Sequence, residues 1–425
     1  MKKLVACLVG GVMLASCVGG TDRKETEMNR FVDDLMNKMT LEEKVGQLNL
    51  VSVGFDITGP ILSENVEEKI KAGQVGGVFN TFTPVAVRKL QNIAVNETRL
   101  GIPLLSGYDV IHGHKTIFPI PLGLSASWDM DLIGRVARVS ADEASADGVN
   151  WIYSPMVDIV RDPRWGRVSE SNGEDPYLSS CIARTMVENF QLDDLSKENT
   201  VMACLKHFAL YGASEAGRDY NTVDMSRIRM YNEYLSPYKA AVEAGVGSVM
   251  TSFNEIDGVP ATANKWLLTD LLRRDWGFEG FVVTDYTATM ELVHHGMGDK
   301  AKASELALNA GTDMDMVSEY FLENGVELVK SGRVPEAVVD AACRRILEAK
   351  YKLGLFEDPY RYVSEERAKN EIMSADKVAL SKEAAVKSMV LLKNDNQVLP
   401  LDPANKVAFI GPHVKGRRDL IGNWS

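Results

Sequence analysis

Charged and polar residues stand at the downstream ends of short apolar runs along much of this sequence, and that placement is where chemistry is to be sought. Asp109 closes the run 104–109, Asp158 the run 151–158, Lys206 and His207 the run 201–207, Asn254 the run 248–254, and Asp285 sits near the end of 281–286. Asp313 and Asp315 accompany the run 312–317. Burying such groups away from water is costly unless they are paired or hydrated. A ring of them therefore implies a cavity that holds a polar ligand. Carboxylates accept hydrogen bonds from hydroxyls, Lys and Arg donate to others, and a carboxylate aimed at an acetal carbon can form a covalent ester. A neutral polyhydroxylated molecule suits that set. Metal chemistry does not, because His294-His295 and the pair His112 and His114 have no Cys or carboxylate at ligand spacing, and no cofactor motif is expected either. A Schiff-base reading of Lys206 would need a desolvated amine with a depressed pKa, whereas His207, Arg167 and several carboxylates favour its charged form.

These residues need a scaffold that brings strand ends together. The apolar runs 48–53, 75–80, 104–109, 151–158, 201–207, 248–254, 281–286 and 312–317 are rich in β-formers. Segments with helical periodicity lie between them, at 64–71, 85–96, 132–146, 177–190, 227–243, 265–274 and 301–309. Eight strands alternating with helices predict an α/β fold, a (β/α)8 TIM-type barrel, whose active site forms where strands run into loops. A doubly wound open sheet shows the same alternation. It would be expected to carry a GxGxxG or GxxxxGK[ST] crossover, and none follows these runs.

A length of 425 residues exceeds one ordinary core, so a second unit is expected. Residues 1–17 read as an export signal of lipoprotein type, with Lys2 and Lys3, a short apolar run and Cys17 as the lipidated position. That predicts a periplasmic or outer-membrane-anchored protein that meets membrane only through its lipid. A polar spacer at 18–28 leads to a barrel at 29–357, opened by a helix over 31–47 that Thr40 and Glu43 restart with a capping box. A linker over 358–376 precedes the beginning of a truncated α/β sandwich domain at 377–425, with a helix at 377–387 and strands at 388–392 and 407–410. The net charge of −12 argues against a nucleic-acid partner. Cys181, Cys204 and Cys343, odd in number and widely spaced, read as free thiols.

Several stretches carry a family resemblance over nearly the whole mature length. Met39-Thr40-Leu41-Glu42-Glu43-Lys44-Val45-Gly46-Gln47, Tyr108-Asp109-Val110-Ile111-His112-Gly113 and Asp162-Pro163-Arg164-Trp165-Gly166-Arg167 with Glu170 come in that order. Lys206-His207-Phe208 and Val282-Val283-Thr284-Asp285-Tyr286 follow. Together they resemble glycoside hydrolase family 3, the β-glucosidase and exo-glucanase group. The resemblance implies a retaining exo-acting β-glycosidase, acting on a β-glucoside or oligosaccharide, with Asp285 as nucleophile. It also implies that Asp109 grips sugar hydroxyls with Arg167, Lys206 and His207 as donors around it, and that Tyr286 offers an aromatic face. Arg218, with Tyr220, lies on the loop after the fifth strand and is a further candidate contact.

Other readings stay open at this point. Asp285 could cap the following helix, Asp109 could cap a loop, and His207 could be a buried histidine with a backbone partner. Arg161, Asp162 and Arg164 could pair among themselves and make the DPRWGR stretch a self-contained loop. Tyr286 stands where many relatives place Trp, and Phe253 where some carry a Tyr whose hydroxyl steadies the nucleophile. A retaining mechanism needs a second carboxyl roughly 5 to 5.5 Å from the first. The resemblance implies that this acid is a Glu beyond Ser425. A β-xylosidase of the same family is the alternative enzyme, and a lipid-anchored sugar-binding remnant the alternative outside catalysis.

Overall fold

The computed structural model describes residues 23–53, 63–417, 421–422 and 424. The leader and Cys17 lie outside the described residues. Eight strands form one parallel sheet: β1 (Asn49–Ser52), β2 (Gly77–Phe79), β3 (Leu105–Tyr108), β4 (Trp151–Ile152), β5 (Met202–Phe208), β6 (Ser248–Thr251), β7 (Phe281–Val283) and β8 (Asp315–Met316). Each pairs with its sequence neighbours, β8 returns to β1, and a parallel bridge from Val283 to Met314 joins β7 to the approach of β8. The expected barrel is thus closed.

Side-chain alternation explains why the strands read as unbroken apolar runs. Leu50, Phe79, Leu105, Trp151, Cys204, Met250, Phe281 and Met316 pack together in one cluster inside the cylinder. Their neighbours Ile152, Ala203, Leu205, Val249 and Val282 join a second cluster with the surrounding helices. Both faces of each strand are therefore buried, as a parallel sheet requires. Within this interior the indole of Trp151 satisfies its Nε1 by donating to Ser248 Oγ at 2.8 Å. Gly107 is dictated by close approach, since a Cβ there would lie 2.2 Å from the Tyr153 hydroxyl.

Three expectations need adjustment. The opening helix is two helices, residues 23–36 and Leu41–Gln47, with the Thr40–Glu43 capping box formed between them. The runs 388–392 and 407–410 are irregular and exposed, because a strand needs an edge to pair with and the described residues offer none there. The ring of strand-end groups also divides into two sets. Asp315 accepts from Thr289 Oγ1 and from the amides of Tyr320 and Phe321, and so caps the helix Tyr320–Lys330. Asp313, buried before β8, binds Arg273, Arg345 at 2.7 Å and the Val282 amide at 2.7 Å. Asn254 is tied to the Ala209 carbonyl. These three are structural.

Asp313→Ala would leave Arg273 and Arg345 without their shared acceptor, and removing one partner from a buried ion pair costs about 3 kcal/mol or more. The expected outcome is a large fall in the urea midpoint of unfolding; an unchanged midpoint would refute the role assigned to this carboxylate.

Candidate active site

The remaining strand-end groups converge at the C-terminal mouth of the barrel. Asp109 follows β3, Lys206 and His207 lie in β5, Asp285 follows β7, and Arg167 comes from the long segment after β4. All but Arg167 are under 9% exposed as residues, and Arg167 retains 17% of its side-chain exposure. Each basic side chain arrives with its own carboxylate. Lys206 Nζ donates to Asp109 Oδ1 at 2.7 Å. Arg167 forks onto Glu170, Nε to Oε1 at 2.7 Å and Nη2 to Oε2 at 2.9 Å, across the short turn Val168–Glu170. His207 places Nδ1 2.8 Å from Asp158 Oδ2, and its backbone N–H donates to the same oxygen at 3.1 Å. Tyr238 completes that set by donating to Asp158 Oδ1 at 2.5 Å.

Asp285 is treated differently. Its Oδ1 accepts from the Tyr286 amide at 2.6 Å. Its Oδ2 lies 3.8 Å from Arg167 Nη1 and 3.5 Å from His207 Nε2, and has no hydrogen-bond donor among the described residues. That oxygen is held in place and left open, the state an attacking carboxylate needs. Burial raises the Asp285 carboxyl from 3.8 to about 6, against the downward pull of Arg167, Lys206 and the Tyr286 amide. The cations expected to favour the ionised form therefore do so, but burial outweighs them; at neutral pH the group is still mostly charged. Burial also pushes Asp158 up to about 7 and, with Arg167 and Lys206, holds His207 well below its usual range. Above that pH a neutral His207 gives its Nδ1–H to Asp158 and turns a lone pair on Nε2 toward the pocket. Burial opposes the Arg167 charge as well, but Glu170 and then Asp285 more than offset it.

Arg167 points inward, whereas Arg164 does pair locally with Asp162 and Arg161 reaches Glu233. The segment is pinned by buried Trp165, whose Nε1 donates to Asp219 Oδ1 at 2.9 Å on the loop after β5. Tyr286 is half-buried, its ring 6.3 Å from that of Phe79. Arg218 stays exposed on its loop. Glu170, Asp158 and Tyr238 orient the cluster without having been singled out for it. Strand-end position hinted at Asp158, but nothing in the spacing links Tyr238 to it. The indole of Trp424 lies 5.8 Å from Arg167 Cζ and 5.6 Å from Lys206 Nζ, a contact that no motif announced. No group of three or more metal-ligating side chains occurs among the described residues, and no described helix is long and apolar enough to cross a membrane.

The raised pKa of Asp285 has a stability consequence. The folded state holds this proton more tightly than the unfolded chain, so the contribution is fully present below 3.8 and is lost as pH climbs to about 6. Asp285→Asn is expected to unfold later than the parent at pH 7.5, by on the order of 2 kcal/mol, with the gain vanishing toward pH 4. Denaturation curves at both pH values test this; a gain equal at the two would overturn it.

Comparison with known proteins follows the same lines. The family described as "Glycosyl hydrolase family 3 N terminal domain" matches residues 40–349. A periplasmic beta-glucosidase of Salmonella typhimurium is 47% identical over 399 residues, covering 93% of this chain and 52% of that protein. A putative beta-xylosidase of Formosa agariphila is 35% identical, over 90% of this chain and 53% of that one. The crystal structure of a beta-glucosidase from Listeria innocua in complex with isofagomine superposes with a TM-score of 0.84 at 41% identity, covering 88% of this chain and 52% of its own. The chain spans about half the length of the curated relatives it matches.

Proposed function

The chain belongs to glycosyl hydrolase family 3, and on that footing we propose that it takes part in the hydrolysis of terminal β-linked glucose, with Asp285 as the nucleophile of a retaining mechanism. The observation that carries this is the open Asp285 Oδ2 in a pocket where every neighbouring cation has its own carboxylate. A deep sugar ring would place its hydroxyls between Asp109 and Lys206, which can accept from one and donate to another. Its anomeric carbon would then meet Asp285, and Oδ2 would bond to it as the bond to the aglycone oxygen breaks, that oxygen taking its proton from a second carboxyl; water, deprotonated by the same carboxyl, would then cleave the glycosyl ester and free Asp285. Arg167, firmly charged, would favour the carboxylate form that attack requires. His207 Nε2, oriented by Asp158, would accept from a ring hydroxyl.

The named beta-glucosidases among its relatives support glucose as the sugar. The beta-xylosidase relatives support a second reading within the same chemistry, since the two sugars differ only by the hydroxymethyl group at ring carbon 5. Relative rates on p-nitrophenyl β-glucoside and β-xyloside decide between them.

Two further outcomes are expected. An activated 2-deoxy-2-fluoro-β-glucosyl fluoride should add one fluoroglucosyl group to the protein, seen by intact mass and located on the peptide that carries Asp285; persistence of that label in Asp285→Ala would remove the residue from this role. We also propose export, with lipid attached at Cys17, on the strength of the Leu14-Ala15-Ser16-Cys17 signal and the periplasmic relative. In a Gram-negative host, radiolabelled palmitate should enter the parent and not Cys17→Ala, and equal labelling of both would count against the anchor.

A further inference from the structure

The loop after β5 carries a ring whose placement the reaction above does not use. Tyr220 is 43% exposed, yet it is not a loose surface side chain. Its ring centroid lies 4.4 Å from that of Phe253, with the planes tilted by 43°, and 6.3 Å from that of Tyr211. Phe253 and Tyr211 are themselves buried, 5.7 Å apart. Tyr211 then packs 5.3 Å from the His207 ring and 5.6 Å from Arg167 Cζ. The rings thus form a continuous wall that starts beside His207 and Arg167, the two groups flanking Asp285, and ends in solvent. Tyr211 and Phe253 are consumed by packing within it, and Tyr220 is the member that keeps a large free surface.

The backbone supports the same placement. Tyr220 sits at φ 62°, a left-handed conformation that a residue with a Cβ adopts at a cost and that clusters at functional sites. Its loop is anchored at Asp219, the acceptor for the buried Trp165 indole, so the ring is set relative to the Arg167 segment. Among charged groups, Asp285 bears most on the Tyr220 phenol, after burial itself. The ring contacts run from Tyr220 through Tyr211 to His207, whose Nε2 lies 3.5 Å from Asp285 Oδ2, so the ring borders the Asp285 side of the pocket, where a substrate exposes its leaving group once its terminal sugar has entered toward Asp109 and Lys206.

We propose that Tyr220, backed by Phe253, is a specificity-determining platform against which a ring-shaped leaving group, a second pyranose or an aryl group, stacks while the terminal sugar occupies the pocket. This rests on the glycosidase reading above. Aromatic faces attract the C–H-rich face of a sugar and the edge or face of an aryl ring alike. Phe253 contributes here through its apolar face, so its lack of a hydroxyl costs the platform nothing.

The test is binding by calorimetry to the parent, Tyr220→Ala and Tyr220→Phe, with thermal unfolding to verify that each variant is folded. The ligands are glucose and the slowly hydrolysed thioglucosides methyl, phenyl and 4-glucosyl 1-thio-β-glucoside, so that the last two distinguish an aryl from a sugar occupant. For Tyr220→Ala, affinity for one or both ring-bearing ligands should fall about tenfold, with glucose and the methyl thioglucoside unchanged and Tyr220→Phe matching the parent. If the parent binds none of the four, the glycosidase reading fails and this inference with it. If the parent binds but Tyr220→Ala loses no affinity for either ring-bearing ligand, or weakens all four alike, the platform is refuted while the glycosidase reading stands.

Discussion

Several charged side chains share one water-poor pocket at the mouth of the barrel, and their mutual arrangement is the constraint around which the rest of the site is organised. A cluster of buried charges persists only when each is answered by an opposite charge and hydrogen bonds. Here the two cations have their carboxylates, Lys206 its Asp109 and Arg167 its Glu170, while neutral His207 is hydrogen-bonded to Asp158. Asp285 receives one backbone amide and otherwise stands 3.5 to 3.8 Å from groups already engaged elsewhere. Stability would be better served by a direct salt bridge to Asp285, or by a neutral side chain there. A carboxylate oxygen clamped by a guanidinium is a poor nucleophile, so withholding that bridge is what the role proposed for Asp285 requires.

That arrangement depends on the scaffold in a specific way. Parallel strands all deliver their C-terminal ends to one rim, so residues far apart in sequence meet there without long loops. Below the rim, the interior is filled by Leu105, Trp151, Cys204, Phe281 and their neighbours, which gives the charged groups a dry floor and raises the Asp285 and Asp158 carboxyls. The same floor makes Gly107 necessary, since Tyr153 fills the space its side chain would take. Packing and electrostatics are therefore coupled: the denser the floor, the stronger the desolvation that the cations must oppose.

The two long segments above the rim behave as one unit. Trp165 from the segment after β4 is hydrogen-bonded to Asp219 from the loop after β5, and Arg167 lies over Tyr211 of that second loop. Movement of either would carry Arg167 away from Asp285. Aromatic packing among Tyr211, Phe253 and Tyr220 extends this unit outward. Loop residues in this protein thus position the charges that strands alone cannot reach, which is the usual division of labour on a barrel.

Local rules made much of this legible. The period-two burial of both strand faces turned each strand into an apolar run, the helices between them kept their periodicity, and Thr40 with Glu43 announced a helix start that is present. Strand-end position alone singled out Asp109, Lys206, His207 and Asp285, because their proximity follows from topology rather than from side-chain detail. It also overreached, since Asp313, Asp315 and Asn254 occupy similar positions and serve as caps and ion-pair partners. Nor could it say that 388–392 and 407–410, strand-like in composition, would lie unpaired, as pairing depends on a neighbour and not on the run itself. Only the folded arrangement decided which carboxylate answers which cation, that Tyr238 holds Asp158, and that Asp285 keeps an open oxygen. Composition and spacing act through neighbours along the chain, whereas desolvation and ion pairing are set by distances in space between residues that the chain separates by up to a hundred positions or more.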